Sequence, residues 1–157
     1  VGNDEAAVGL RELLAAHLRD RGLQVDLYGP ARVEDAVHYP DVAVDVARRV
    51  ADGTYERALL LCGTGIGMAI AANKVPGVRA AQAADTYSAE RARKSNDAQV
   101  LCLGARTIGP ELARSIVDAW LASEFAGGGS QAKVDKLVAL DDPALATGVG
   151  HLERSAS

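Results

Sequence analysis

Aromatic residues are scarce, at 4% of 157 positions, with a single Trp and a single Phe. Any core must therefore be assembled from Ala, Val, Leu and Ile. Only two cysteines are present, Cys62 and Cys102, which excludes a disulfide-stapled scaffold. Three scattered histidines exclude a zinc finger. No apolar run approaches the roughly 20 residues of a membrane span, and no signal-peptide pattern is visible. The chain also lacks a basic excess. At a net charge of −4, neither a nucleic-acid backbone nor an anionic membrane is a natural main partner, so any phosphate site must be built locally. What remains is a single globular domain of a reducing compartment, read as cytoplasmic, with 48% apolar and 24% charged residues. Val1 in place of Met predicts that a few leading residues precede it.

Short β-branched runs alternate with longer helical patterns, as in βαβ units. Val1 to Asp4 reads as the end of a first strand. Val8, Leu10, Leu13, Leu14 and Leu18 predict a helix over Val8 to Arg21, stopped by Gly22. Gln24 to Tyr28 predicts a second strand, and Asp41 to Asp52 a helix ended by Gly53. Arg57 to Cys62 has no polar break after its arginine, so it predicts a third strand covered on both faces. Gly63-Thr64-Gly65-Ile66-Gly67 follows, with a helix over Met68 to Lys74. Val78 to Ala83 and Gln99 to Leu103 complete five strands, with helices over Thr86 to Ser95, Pro110 to Ser123 and Ser130 to Leu140. Beyond Asp141 the sequence predicts a loose, flexible tail. No repeat or interdomain linker interrupts the single domain, 1–140. The expected fold is α/β, a doubly wound, five-stranded parallel sheet flanked by helices.

Ligands on such sheets bind at the carboxyl ends of the strands. That rule gathers Asn3-Asp4-Glu5, Cys62 to Gly67, Ala84-Asp85-Thr86 and Gly104-Ala105-Arg106 along one edge. At Cys62 a buried strand meets a glycine-rich loop and the start of a helix, where unpaired N–H groups point outward. Such a nest holds a phosphate or stabilises an oxyanion, and it favours the thiolate of an adjacent cysteine. Cys62 is thus either a nucleophile or general base, or a structural cysteine before a phosphate cradle. Cys102, inside a strand, reads as packing. Asp4 and Glu5 either bind hydroxyls and move protons or complement a helix start.

The loop lacks the Gly-Lys-Ser/Thr ending of a P-loop. Its glycines at 63, 65 and 67 follow the third strand and not the first, with the wrong spacing for a dinucleotide fingerprint. His17 and His151 read as solvated, and His38 lies in a loop. No Ser-His-Asp triad or metal site has a foundation here.

Cys62-Gly63-Thr64-Gly65-Ile66-Gly67-Met68, with Ala71-Ala72-Asn73-Lys74-Val75-Pro76-Gly77-Val78-Arg79-Ala80, resembles the signature of the RpiB/LacAB sugar-phosphate isomerases. Asp85 to Ala89, Asn96-Asp97-Ala98 and Leu103 to Gly109 are similar to that family's later blocks, and the resemblance runs from Val1 to about Leu140. It implies a Rossmann-like homodimer, sometimes paired into a tetramer, with active sites at the subunit interface and the C-terminal helix crossing to the partner. It implies aldose–ketose isomerisation through a cis-enediolate with no metal or organic cofactor. On this basis Cys62 moves the proton between C1 and C2, and Gly63 to Gly67, Ile66 included, hold the enediolate oxygen. Thr64 lies beside the reacting end. Asp4 and Asn96 bind sugar hydroxyls, Arg106 lies near phosphate, and Tyr39 joins the substrate site.

The departures narrow the substrate. Ribose-5-phosphate isomerases carry His before the Asn-Asp pair, to open the furanose ring; here that residue is Ser95. Their Asp-His-Ala-Gly motif becomes Asp4-Glu5-Ala6-Ala7, and their later Arg-His and Arg become Gly129, Ser130 and Lys133. A four-carbon sugar phosphorylated on O4 forms no furanose. The pattern Asp85 to Arg91 followed by Ser95-Asn96 is similar to relatives that interconvert D-erythrulose 4-phosphate and D-erythrose 4-phosphate. Glu5 would repel a phosphate by ~1 kcal/mol at about 4 Å even in water, which shifts the phosphate towards Arg106 or Lys133. Ribose 5-phosphate isomerisation, a non-catalytic sugar-phosphate-binding subunit and a nucleotide-binding regulatory module are the rival expectations.

Overall fold

The uninterrupted apolar run Ala58–Cys62 forms strand β2, buried along its whole length. It pairs in parallel on one side with Gly2–Asn3, strand β1, and on the other with Val100–Gly104, strand β4. Ala80–Gln82, strand β3, lies outside β4, giving a four-stranded parallel sheet in the order β1-β2-β4-β3. The structure, a computed structural model, describes residues 1–146. None of the helices among the described residues is long and apolar enough to cross a membrane.

Successive strand side chains point to opposite faces, so the Leu-rich run feeds two cores. Leu59, Leu61, Leu101 and Leu103 pack with Leu14 and Leu18 of helix α1 (Val8–Asp20), Ala89 and Ala92 of α4 (Thr86–Asn96), and Ile116, Val117 and Trp120 of α5 (Pro110–Leu121). Leu60, Cys62, Val100 and Cys102 face Val46 and Ala47 of α2 (Tyr39–Ala51) and Met68 and Ala72 of α3 (Ile66–Ala72). Trp120 is the one fully buried aromatic ring among the described residues, and its indole N–H donates to the Ala98 carbonyl at 3.2 Å. Both faces of β2 are covered, as the unbroken run predicts.

The expected second strand is not formed. Of Gln24–Tyr28 only Tyr28 pairs, through a single parallel bridge to Gly2, so the sheet has four strands and not five. The bonds beside that bridge are of the parallel ladder type: the Asp26 carbonyl accepts from Val1 N at 2.7 Å, the Tyr28 N–H donates to the Val1 carbonyl at 2.9 Å, and the Asn3 N–H donates to the Tyr28 carbonyl at 3.1 Å. Two helices start earlier than their periodicity predicts. α2 begins at Tyr39 because Pro40 suits a first turn, where no N–H partner is needed. α3 begins at Ile66, within the glycine-rich loop. The final helix α6 covers Gln131–Ala139. After it Asp141 accepts from the Gly77 N–H at 2.7 Å, and Pro143–Ala146 form a single turn, α7. The rest of the expected tail, from 147 onward, lies outside the described residues.

Candidate active site

Three strand ends meet at one edge. The Asp4 N–H donates to the Leu61 carbonyl at 3.1 Å, which sets Asp4 beside Cys62. After β4, the N–H groups of Ala105 and Arg106 donate to the carbonyls of Cys62 and Gly63 at 2.8 and 3.0 Å. Arg106 then crosses Gly63, where a Cβ would stand 3.5 Å from its side chain. Its exposed guanidinium makes no hydrogen bond or ion pair among the described residues, so it is free to meet an anion.

Cys62 is 5% exposed, and its Sγ accepts the Gly65 N–H at 3.1 Å. Gly65 reaches that position in the left-handed region, at φ 77°, with the Leu103 backbone 2.9 Å from where a Cβ would sit. Only glycine fits both demands. The Ile66 N–H donates to the Thr64 hydroxyl at 3.3 Å. The amides of Gly63, Thr64 and Gly67 have no acceptor among the described residues. The nest expected from Gly63, Gly65 and Gly67 is thus divided: Gly65 serves the sulfur, and its neighbours remain available to a developing oxyanion. At Gly67 a Cβ would lie 2.6 Å from the Tyr39 ring. The missing side chain lets the start of α2 close against the loop, which brings Tyr39 to the site.

Asp4 is buried, and its Oδ1 accepts the Ala6 N–H at 3.0 Å. Burial, reinforced by the neighbouring charge of Glu5, raises its pKa above the ordinary aspartate value. A carboxyl so placed carries a proton more readily than a solvated one. Glu5 itself has one carboxylate oxygen, Oε2, that is buried without any hydrogen-bond partner. Burial also pushes the fully buried Cys102 thiol far above its ordinary range, with Cys62 adding to the shift. That fits packing and no reactivity.

Other expected residues lie elsewhere. α4 runs back along the sheet and ends in the left-handed residue Asp97, whose carboxylate pairs with Arg79 and Arg93, both at 2.8 Å. The Asn96 carbonyl accepts from Arg79, just before β3. Asn96 and Ser95 are therefore at the amino ends of the strands, opposite Cys62. Lys133 is exposed on α6, a helix that packs by α4 after Ala126 has donated its N–H to the Lys94 carbonyl, near the end of α4 that lies away from Cys62. Asp85 shares the carboxyl edge with Cys62 but caps α4, accepting the N–H and hydroxyl of Ser88, both at 2.7 Å. A cavity of about 530 Å³ opens at the amino end, lined by Leu18, Leu23, Val25 and Trp120 among others, without cysteine or histidine. It carries none of this chemistry.

Two positioning features escaped sequence reading. Arg11 is buried and donates to the Pro30 carbonyl at 2.7 Å and to Asn3 Oδ1 at 3.3 Å. Asn3 in turn donates to the Asp4 carbonyl at 2.8 Å, so the pair fixes the backbone that presents Asp4. The available signal was an arginine at Ala7+4 and Leu14−3, on the buried stripe of α1. The other is Arg91, whose guanidinium donates to the Ser95 hydroxyl at 3.0 Å, one helical turn along.

The chain is similar to known proteins both in sequence and in fold. A D-erythrulose-4-phosphate isomerase of Pectobacterium atrosepticum is 55% identical over 137 residues, 87% of this chain and 90% of the relative. A ribose-5-P isomerase B of Listeria innocua is 49% identical over 141 residues, 90% and 95% of the two chains. The solved ribose-5-phosphate isomerase B of Clostridium thermocellum superposes with a TM-score of 0.88 at 41% identity, over 91% of this chain and 96% of that one. Residues 1–137 match the ribose/galactose isomerase family as a whole. With Cys62, its glycine loop and Asp4 assembled on a sheet shared with these proteins, the chain belongs to the ribose/galactose isomerase family.

Proposed function

We propose that this enzyme, a sugar-phosphate isomerase, interconverts D-erythrulose 4-phosphate and D-erythrose 4-phosphate through a cis-enediolate. The observation that carries the chemistry is the Cys62 sulfur, held by the Gly65 amide beside three uncommitted loop amides. The thiolate takes a proton from C1 of the ketose and returns it to C2. The negative charge that develops on the carbonyl oxygen meets the Gly63, Thr64 and Gly67 amides, preorganised donors of the kind that stabilise enediolates. Asp4, with its raised pKa, moves the proton between O1 and O2, assisted by the Thr64 hydroxyl. Arg106 takes the phosphate. Each proton transfer uses this chain's own side chains, so the reading requires no cofactor.

The tetrose is favoured over ribose 5-phosphate by Ser95. A hydroxyl tied to Arg91 is a poor base for opening a furanose, and a tetrulose 4-phosphate has no furanose to open. Ribose 5-phosphate is the second reading, supported by the Listeria relative. The separation of Asn96 and Lys133 from Cys62 supports a homodimer in which those residues complete the site of the other subunit. Ile66 and Ile70, one turn apart on α3 and 55% and 59% exposed, offer an apolar surface beside the loop for that contact. The test is initial rates on D-erythrulose 4-phosphate and ribose 5-phosphate, with Cys62→Ala as the blank. A preference for the tetrulose phosphate is expected; a preference for ribose 5-phosphate overturns the reading of Ser95.

A further inference from the structure

Glu5 begins the 3-10 turn that follows β1, directly after Asp4. Its Oε2 is out of reach of solvent, and no donor among the described residues meets it. A carboxylate oxygen buried in this way is unfavourable until a donor arrives, so its position beside the reacting edge calls for a hydrogen-bond donor from the ligand. A phosphate supplies none when ionised and is repelled.

Taking the tetrulose phosphate of the proposed function as substrate, the oxygens can be sorted by what the reaction does to them. O1 and O2 become the enediolate and gain negative charge, which a fixed carboxylate would oppose. O4 is esterified to phosphate. Only the hydroxyl on C3 remains a neutral donor throughout. We infer that Glu5 accepts the C3 hydroxyl of the substrate, holds the sugar with its phosphate turned away towards Arg106, and thereby reads the one stereocentre of the ketose. A site built to satisfy a substrate hydroxyl rejects an analogue lacking it, because its own buried group is then left unpaired.

The experiment measures kcat/KM for the wild type and Glu5→Ala on D-erythrulose 4-phosphate and on its 3-deoxy analogue. Glu5→Ala is expected to lose about 10- to 150-fold on the hydroxylated substrate, the equivalent of one charge-assisted hydrogen bond. On the 3-deoxy analogue it is expected to match the wild type. An equal loss on both substrates marks a structural role and overturns the inference, as does no loss on either. If Glu5→Ala fails to fold, Glu5→Gln and the wild type decide: a wild type that handles both substrates equally well overturns it. A wild type inactive on the tetrulose phosphate refutes the proposed function instead, and the assignment of Glu5 falls with it.

Discussion

Gly65→Ala tests the loop at its tightest point. Two separate penalties act there. An L-residue at φ 77° costs about 1–2 kcal/mol in the left-handed region. The new Cβ would also lie 2.9 Å from the Leu103 carbonyl carbon, in backbone that cannot swing aside, and such overpacking costs about 1–3 kcal/mol. Together these give about 3 kcal/mol, and for a chain of this length roughly 6–12 °C in melting temperature. Gly77→Ala is the matched control. Its φ is 84° and a Cβ there meets nothing within 4 Å, so only the conformational part remains, about 1 kcal/mol or roughly 2–4 °C. Differential scanning calorimetry and urea titration read both. Activity separates them further: relief of the clash moves the Gly65 amide away from Cys62 Sγ, and a displacement of an ångström lowers turnover by about 10- to 100-fold, while Gly77→Ala keeps wild-type kcat. Equal melting shifts for the two variants, or full activity in Gly65→Ala, would refute the reasoning.

Cys62→Ala folds and loses orders of magnitude in kcat, whereas Cys102→Ala costs about 1 kcal/mol of stability and keeps its activity; paired assays of turnover and urea unfolding check both. In the native Cys62→Ala protein the raised thiol of Cys102 resists iodoacetamide, and mass spectrometry should find labelling only after denaturation. Because the folded pKa of Asp4 is raised, the folded state holds its proton to higher pH than the unfolded chain does. Its contribution to stability is therefore fully present below the ordinary aspartate pKa and is lost as pH rises through the raised value. Urea midpoints from pH 3 to 7 should fall relative to those of Asp4→Asn across that window; a constant difference would refute the assignment. Arg11→Met leaves Asn3 Oδ1 without its donor and the Pro30 carbonyl with only the Asn3 side-chain amide, for about 2 kcal/mol in chemical denaturation, with a fall in kcat as Asp4 shifts.

Much of this architecture was legible because its signals are local. The unbroken run ending at Cys62 announces a strand covered on both faces, and Gly63 to Gly67 directly after it announces a turn into a helix. Those two features place the sulfur. The outcome over Gln24 to Tyr28 was not legible, because β-pairing is decided by contacts with a neighbouring strand that local periodicity does not report, and only Tyr28 bridges, to Gly2. Arg11 was hidden by its type: an arginine on an apolar helix face reads as a solvated residue until the carbonyl of Pro30, far along the chain, is brought to it. The position of Asn96 follows from topology alone. A helix that leaves the carboxyl end of one parallel strand must return to the amino end of the next, so the end of α4 could never lie beside Cys62 within one chain. For Glu5 the sequence left two readings open, a hydroxyl ligand and a partner of the helix start; that its Oε2 is buried without a donor emerges only once the chain is folded.

That reversal of α4 has a genetic corollary under the homodimer reading. A chain damaged at Cys62 and a chain damaged at Asn96 are each inactive when paired with themselves. In a two-fold symmetric pair that combines them, one site joins the intact Cys62 of the first partner to the intact Asn96 of the second, and the other site inherits both lesions. Random assortment of equal amounts leaves half the pairs mixed, so about a quarter of all sites are whole. Two silent alleles expressed together thus restore a measurable share of growth-supporting activity, and the sheet's back-and-forth path becomes visible as complementation in a cell.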